Sequence, residues 1–171
     1  MNDEFATALR AAKRLQDEER SRRLPPEEGS PSDTQSILPI SIVRDTRGYI
    51  EKVTHQVNGC YEKGWFDACA VMMRRLLETL IIEVFEHSKI DHKIKAPTGD
   101  FLQLSDLIDR TLAESAWNLS RNTKKALPRL KQVGDWSAHN RRYNAHRQDI
   151  DNVKGDLRVS VQELVYLAGL K

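Results

Sequence analysis

The sequence predicts an all-α fold: an antiparallel bundle of four or five helices, carrying an extra N-terminal helix on a proline-rich linker. Three observations lead there. Residues 65–87 place Phe66, Cys69, Ala70, Met73, Leu76, Leu77, Leu80, Ile81 and Val84 at i, i+3, i+4 and i+7, the spacing of one buried helix face. Residues 146–170 repeat that spacing through Ile150, Val153, Leu157, Val161, Leu164 and Leu167. After residue 45 no period-two alternation runs for any length, so half-buried strands have no signal. Amphipathic helices with short connections bury their stripes against one another as a bundle.

Each element has its own local reason. Residues 2–23 are rich in strong helix formers, with a thin stripe of Phe5, Ala8, Leu9, Ala12 and Leu15 in a charged surround. This reads as a solvent-exposed helix, or as one that docks on a protein partner. LPPEEGSPSDTQS at 24–36 can neither continue a helix nor build a core, so it is a linker. ILPISIV at 37–43 is an apolar run with a proline inside and reads as an extended arm on the domain. Asp45 or Thr46 then caps a helix that runs through Ile50, Val53 and Val57 to the stop signal Asn58-Gly59. Residues 61–64 connect it to the long central helix. Ser88–Asp100, with Pro97 and Gly99, is a loop. A shorter helix covers 101–115 through Leu104, Leu107, Ile108 and Leu112. The next covers 118–133, with a break at Pro128, and a segment containing Gly134 leads to His139. The domain division is 1–23, 24–45 and 46–171.

Composition sets outer limits. A length of 171 residues suits one domain. No run approaches the roughly 18 apolar residues of a spanning helix, so no membrane role is expected. With 27 basic and 25 acidic side chains the net charge is +2, which excludes a strongly basic nucleic-acid coat but not a local basic patch. Cys60 and Cys69 are too few for a disulfide framework and read as reduced thiols. With no apolar core for a signal peptide, the expected location is cytoplasmic.

Common catalytic motifs are missing from the sequence: no glycine-rich phosphate loop, no His-x-x-x-His pair and no Cys-x-x-Cys. His87, Asp91 and His92 flank a loop without the spacing of a closed metal site, so neither metal nor cofactor is expected. Two polar groups stand out. Arg74 and Glu78 sit one turn apart on an otherwise apolar helix, where charges need partners. They pair with each other at the core rim, or brace a polar element across the bundle. Residues 129–147 supply that element. They bring together Arg129, Lys131, Asp135, His139, Arg141, Arg142 and His146, with Trp136 and Tyr143 interleaved. A histidine base and a cation beside a pentavalent phosphate are the parts for metal-independent cleavage through a ribose 2′-hydroxyl. Cations and aromatics together also suit single-stranded RNA. The plainer alternative makes His139 a packed residue capping its turn and the arginine pair a solvated face.

The elements YEKGWFDACAVMMRRLLETLI and LPRLKQVGDWSAH, followed by a terminal amphipathic helix, resemble the HEPN-like family known as domain of unknown function 4145. The family pattern is Arg-Arg-x-Leu-Glu, then Arg-x-x-Gly-Asn-x-x-Ala-His, then a last helix. Here Arg74-Arg75-Leu76-Leu77-Glu78 matches the first and Lys131–His139 the second, and the resemblance spans about residues 46–170. It implies a helical bundle, a homodimer, and work on RNA in a bacterial defence or stress system. The excess of apolar helix faces points to a dimer as well. In the family's ribonucleases an Arg and a polar residue precede the His. His139 would then be the base or acid, Asp135 would orient it, and Lys131 or Arg141 would stabilise phosphate. Gly134 stands where the catalytic Arg belongs, so the resemblance implies a degenerate, non-catalytic site. Arg141 to His146 matches the spacing in an alternative register. An oligomerisation scaffold without RNA is the remaining reading.

Overall fold

A computed structural model describes residue 12 and residues 36–171. The helix expected over 2–23, Ala12 apart, and the linker up to residue 35 lie outside the described residues. Six α-helices make up the bulk of the described chain: α1 (Gly48–Glu62), α2 (Phe66–His87), α3 (Leu104–Ala113), α4 (Arg121–His139), α5 (Arg147–Asp151) and α6 (Lys154–Leu167). A 3-10 turn at Ile40–Ile42 precedes α1, and a second at Asp91–Ile94 lies between α2 and α3. A lone antiparallel bridge between Lys95 and Phe101 is the one β feature among the described residues. The chain is an all-α helical bundle, and no described helix is long and apolar enough to cross a membrane.

The helix with the longest apolar stripe takes the centre, because it has the most surface to hide. α2 packs against α1, α3, α4 and α6, and α4 also packs on α6. Met73, Leu76, Leu77, Leu80, Ile81, Val84 and Phe85 of α2 are fully buried. Across from them lie Leu127 and Leu130 of α4 and Leu157, Val161 and Leu164 of α6, equally inaccessible. Each such side chain contributes roughly 1.5–3 kcal/mol relative to exposure.

Several local expectations are corrected. Neither Asp45 nor Thr46 caps α1. Asp45 adopts the left-handed region at φ 65°, and its N–H donates to Glu51 Oε1 at 2.7 Å, while Arg47 holds the N-cap position. Nor does Asn58-Gly59 stop α1. Asn58 is fully buried, where its Oδ1 accepts from the Leu38 N–H at 3.0 Å and its Nδ2 donates to the Leu38 carbonyl at 2.8 Å. The asparagine thus pins the arm to the bundle. Arg158 holds the arm from α6, donating to the Ile37 and Ser36 carbonyls at 2.6 and 3.0 Å. The arm is not extended throughout, since Ile40–Ile42 form a 3-10 turn. α1 ends instead at Glu62 and is closed by Gly64, whose φ of 76° suits glycine. There Trp65 N–H donates to the Cys60 carbonyl and Gly64 N–H to that of Tyr61, a Schellman closure.

α4 runs unbroken through Pro128 and Gly134 to His139. Ser120 caps it, accepting from Thr123 N–H at 3.2 Å, and Glu163 of α6 accepts from Ser120 N–H and Oγ at 2.6 and 2.7 Å. The last expected helix is two, α5 and α6, parted at Asn152 and Val153 where Asn, Val and Gly155 lower helix propensity. The apolar stripe continues across the break, with Ile150, Val153 and Leu157 all buried.

Candidate nucleic-acid interface

α4 has two chemically different sides and a polar end. On its inner side it approaches α2 so closely that a Cβ built on Gly134 would lie 2.9 Å from Arg74 Cβ and 3.2 Å from the Ala70 carbonyl oxygen. That approach brings the next residue, Asp135, to the charge on the central helix. Arg74 Nε donates to Asp135 Oδ1 at 3.0 Å, and Lys131 Nζ, one turn earlier on α4, donates to Oδ2 at 2.5 Å. The three side chains are about three-quarters buried. Arg74 therefore braces the second helix across the bundle and does not pair with Glu78. Glu78 is half-buried and has no hydrogen bond to His139.

Partial burial works to raise the Asp135 carboxyl, but the Lys131 and Arg74 hydrogen bonds and charges outweigh it and hold the group below the usual carboxylate range. A depressed carboxyl stabilises the fold above its unfolded pKa, about 3.9, and that contribution is lost as pH falls through the lower folded value. Asp135→Asn should therefore destabilise the protein at neutral pH. The difference from wild type should shrink in acid below about pH 3, as urea melts at both pH values would show.

The outer side of α4 carries the aromatic group. Trp136 is 43% exposed, and its ring stands 5.5 Å from that of Tyr143 at an interplanar angle of 56°. Both line a pocket of about 200 Å³ with Arg129, Gln132, Val133, Asp149, Asn152 and Val153. Arg129 Nη1 lies 2.8 Å from Asp156 Oδ2 on α6. The Tyr143 hydroxyl is buried without a well-formed hydrogen bond. Burial first, then the Asp149 and Asp67 carboxylates, push its phenol up to about 12. Two adjacent backbone amides anchor the chain just after Tyr143. Ala145 N–H donates to Asp67 Oδ1 at 2.9 Å, and His146 N–H to Asp149 Oδ2 at 2.8 Å.

At the C-terminal end of α4, His139, Arg141, Arg142 and His146 are all exposed. His139 is neither packed nor hydrogen-bonded to its turn, so the alternative that made it a packed cap does not hold. Asn140 closes the helix instead, donating its N–H to the Trp136 carbonyl at 3.0 Å and accepting from Arg142 N–H on Oδ1.

The sequence-predicted residues thus fall into three sets. Arg74, Lys131 and Asp135 meet on the inner side; Arg129, Trp136 and Tyr143 on the outer; and His139, Arg141, Arg142 and His146 at the tip. Lys131, Asp135 and His139 share a stripe at i, i+4 and i+8, but the first two are engaged with each other and with Arg74. Gln132, Asp149 and Asn152 went unrecognised in the sequence. Carrying α4 through Gly134 would have put Gln132 on the face of Arg129 and Trp136.

Among the described residues no group of three or more His, Cys, Asp or Glu side chains is placed to hold a metal ion. Cys60 and Cys69 are buried free thiols that burial pushes up, Cys69 strongly, which makes them poor nucleophiles. No family model matches the chain, and neither a curated protein nor a solved structure shows significant similarity to it.

Proposed function

We propose that the chain is a HEPN-like helical module that binds single-stranded RNA without cleaving it, acting as a homodimer in a bacterial defence or stress setting. The setting and the family rest on the two sequence elements that resemble that family. The RNA reading is carried by one observation: α4 exposes Trp136 against Tyr143 in a pocket beside Arg129, with Arg141 and Arg142 free at the helix end. A π-face for a base and cations for the backbone are the two requirements of single-strand binding. The absence of cleavage is supported by the inner side. Lys131 and Arg74 are both committed to Asp135, and His139 stands apart from them with no partner to orient it. Val159 and Tyr166, 43% and 73% exposed on α6, offer a face for a second copy.

Fluorescence anisotropy with a labelled single-stranded RNA tests the binding. Affinity should fall with rising salt. Trp136→Ala should weaken it roughly 5- to 100-fold, the effect of about 1–3 kcal/mol for one stacked base. A wild-type protein that leaves the RNA free at low salt, or a Trp136→Ala variant that binds undiminished, contradicts the reading.

A further inference from the structure

The geometry points to the outer pocket of α4 as a site for one unpaired guanine base, an inference that rests on the RNA-binding reading and names the base it selects. The pocket has one aromatic wall and one polar edge. Trp136 and Tyr143 make the wall. The Asp149 carboxylate with the Gln132 and Asn152 amides makes the edge. Its one cation, Arg129, already lies against Asp156. An acidic edge without a free cation repels a phosphate group, so the pocket takes a base and leaves the backbone to Arg141 and Arg142 outside.

Stacking tolerates every base, so selection falls to the polar edge. A carboxylate only accepts hydrogen bonds, and it accepts on two oxygens. Guanine alone among the four RNA bases presents two adjacent donors on its Watson–Crick edge, N1–H and N2–H. Adenine and cytosine set an amino group beside a bare ring nitrogen, whose lone pair faces the second carboxylate oxygen. Uracil sets its N3–H between two carbonyls, and both repel the carboxylate. The amides of Gln132 and Asn152 supply the N–H donors that the guanine O6 requires. Asp149 is also held in place: its Oδ2 accepts the His146 N–H at 2.8 Å on one lone pair, which orients the group and leaves a lone pair on each oxygen for the two guanine donors.

The test compares four labelled probes: a short oligouridylate, and the same strand with its central uridine replaced by guanosine, adenosine or cytidine. The guanosine strand should bind roughly 5- to 100-fold more tightly than the all-uridine strand, the discrimination of one bidentate contact. In Asp149→Asn, whose Oδ1 still accepts the His146 N–H, the ratio between those two strands should collapse towards one. Trp136→Ala, a variant outside the polar edge, should weaken all four. If wild type binds the four equally, the guanine site is wrong while RNA binding stands; if it binds none, both fall. Preference for another base, or a guanosine preference that survives Asp149→Asn, also overturns the assignment.

Discussion

Truncating Leu77 to alanine should lower the free energy of unfolding by about 2–5 kcal/mol, the range for removing a fully buried leucine. Leu77 sits in the middle of the central helix with none of its surface exposed, and neighbours on every side are equally inaccessible. The side chains around the void are already packed on one another, so they relax into it only partly. A domain of this kind has only about 5–15 kcal/mol in total, so the loss is a large fraction of the whole. Glu86→Ala on the exposed side of the same helix should move stability by no more than about 0.5 kcal/mol. Urea denaturation of both variants provides the comparison, with an unchanged slope showing that the unfolded state is the same. A Leu77→Ala cost no greater than that of Glu86→Ala would mean that α2 is not the core of the bundle.

Writing the expected catalytic arginine into position 134 should unfold the site and not activate it. Any side chain there begins with a Cβ 2.9 Å from Arg74 Cβ, an atom close to the backbone that cannot swing away, and 3.2 Å from the Ala70 carbonyl oxygen. Overpacking of this kind costs about 1–3 kcal/mol, and a long charged side chain at a buried helix crossing belongs at or above the top of that range. α4 must lift from α2 to admit it, which separates Arg74 from Asp135. Gly134→Arg is therefore expected to melt several degrees lower than wild type and to gain no cleavage of RNA. A variant that melts unchanged and cleaves would show that the glycine marks a lost activity and not a close crossing.

How much of this was legible depends on which force set each feature. The stripes of α2 and α6 were readable because burial imposes periodicity, and Leu77, Leu80, Val84, Val153, Leu157 and Leu164 are all inside. Arg74 meeting Asp135 was readable too, because a charge on a core-facing helix must find a partner. Boundaries were less legible where tertiary packing outweighed local preference. Asn58-Gly59 carries the signature of a helix end, but Asn58 is spent holding Leu38. Pro128 and Gly134 look like breaks, but α4 continues through both because Leu127, Leu130 and Val133 are buried on one face. At Asn152 and Val153 the error ran the other way: the apolar stripe persists while the helix stops. The outer pocket was half legible. Arg129, Trp136 and Tyr143 announce themselves by type, whereas Gln132, Asp149 and Asn152 are ordinary surface residues until the fold gathers them.

The proposal that this bundle holds RNA without cutting it is tested most directly by a single anisotropy time course. A short single-stranded RNA carrying a terminal fluorophore is mixed with excess protein at low salt and followed for hours. Binding raises the anisotropy, whereas cleavage releases a small labelled fragment and takes it below the value of the free strand. A rise that holds, unchanged by EDTA and by His139→Ala, is the predicted result. No rise at all would remove the RNA, and a rise that decays below the starting value, and does so only while His139 is present, would make the protein the ribonuclease that its Arg74–Asp135–Lys131 network argues against.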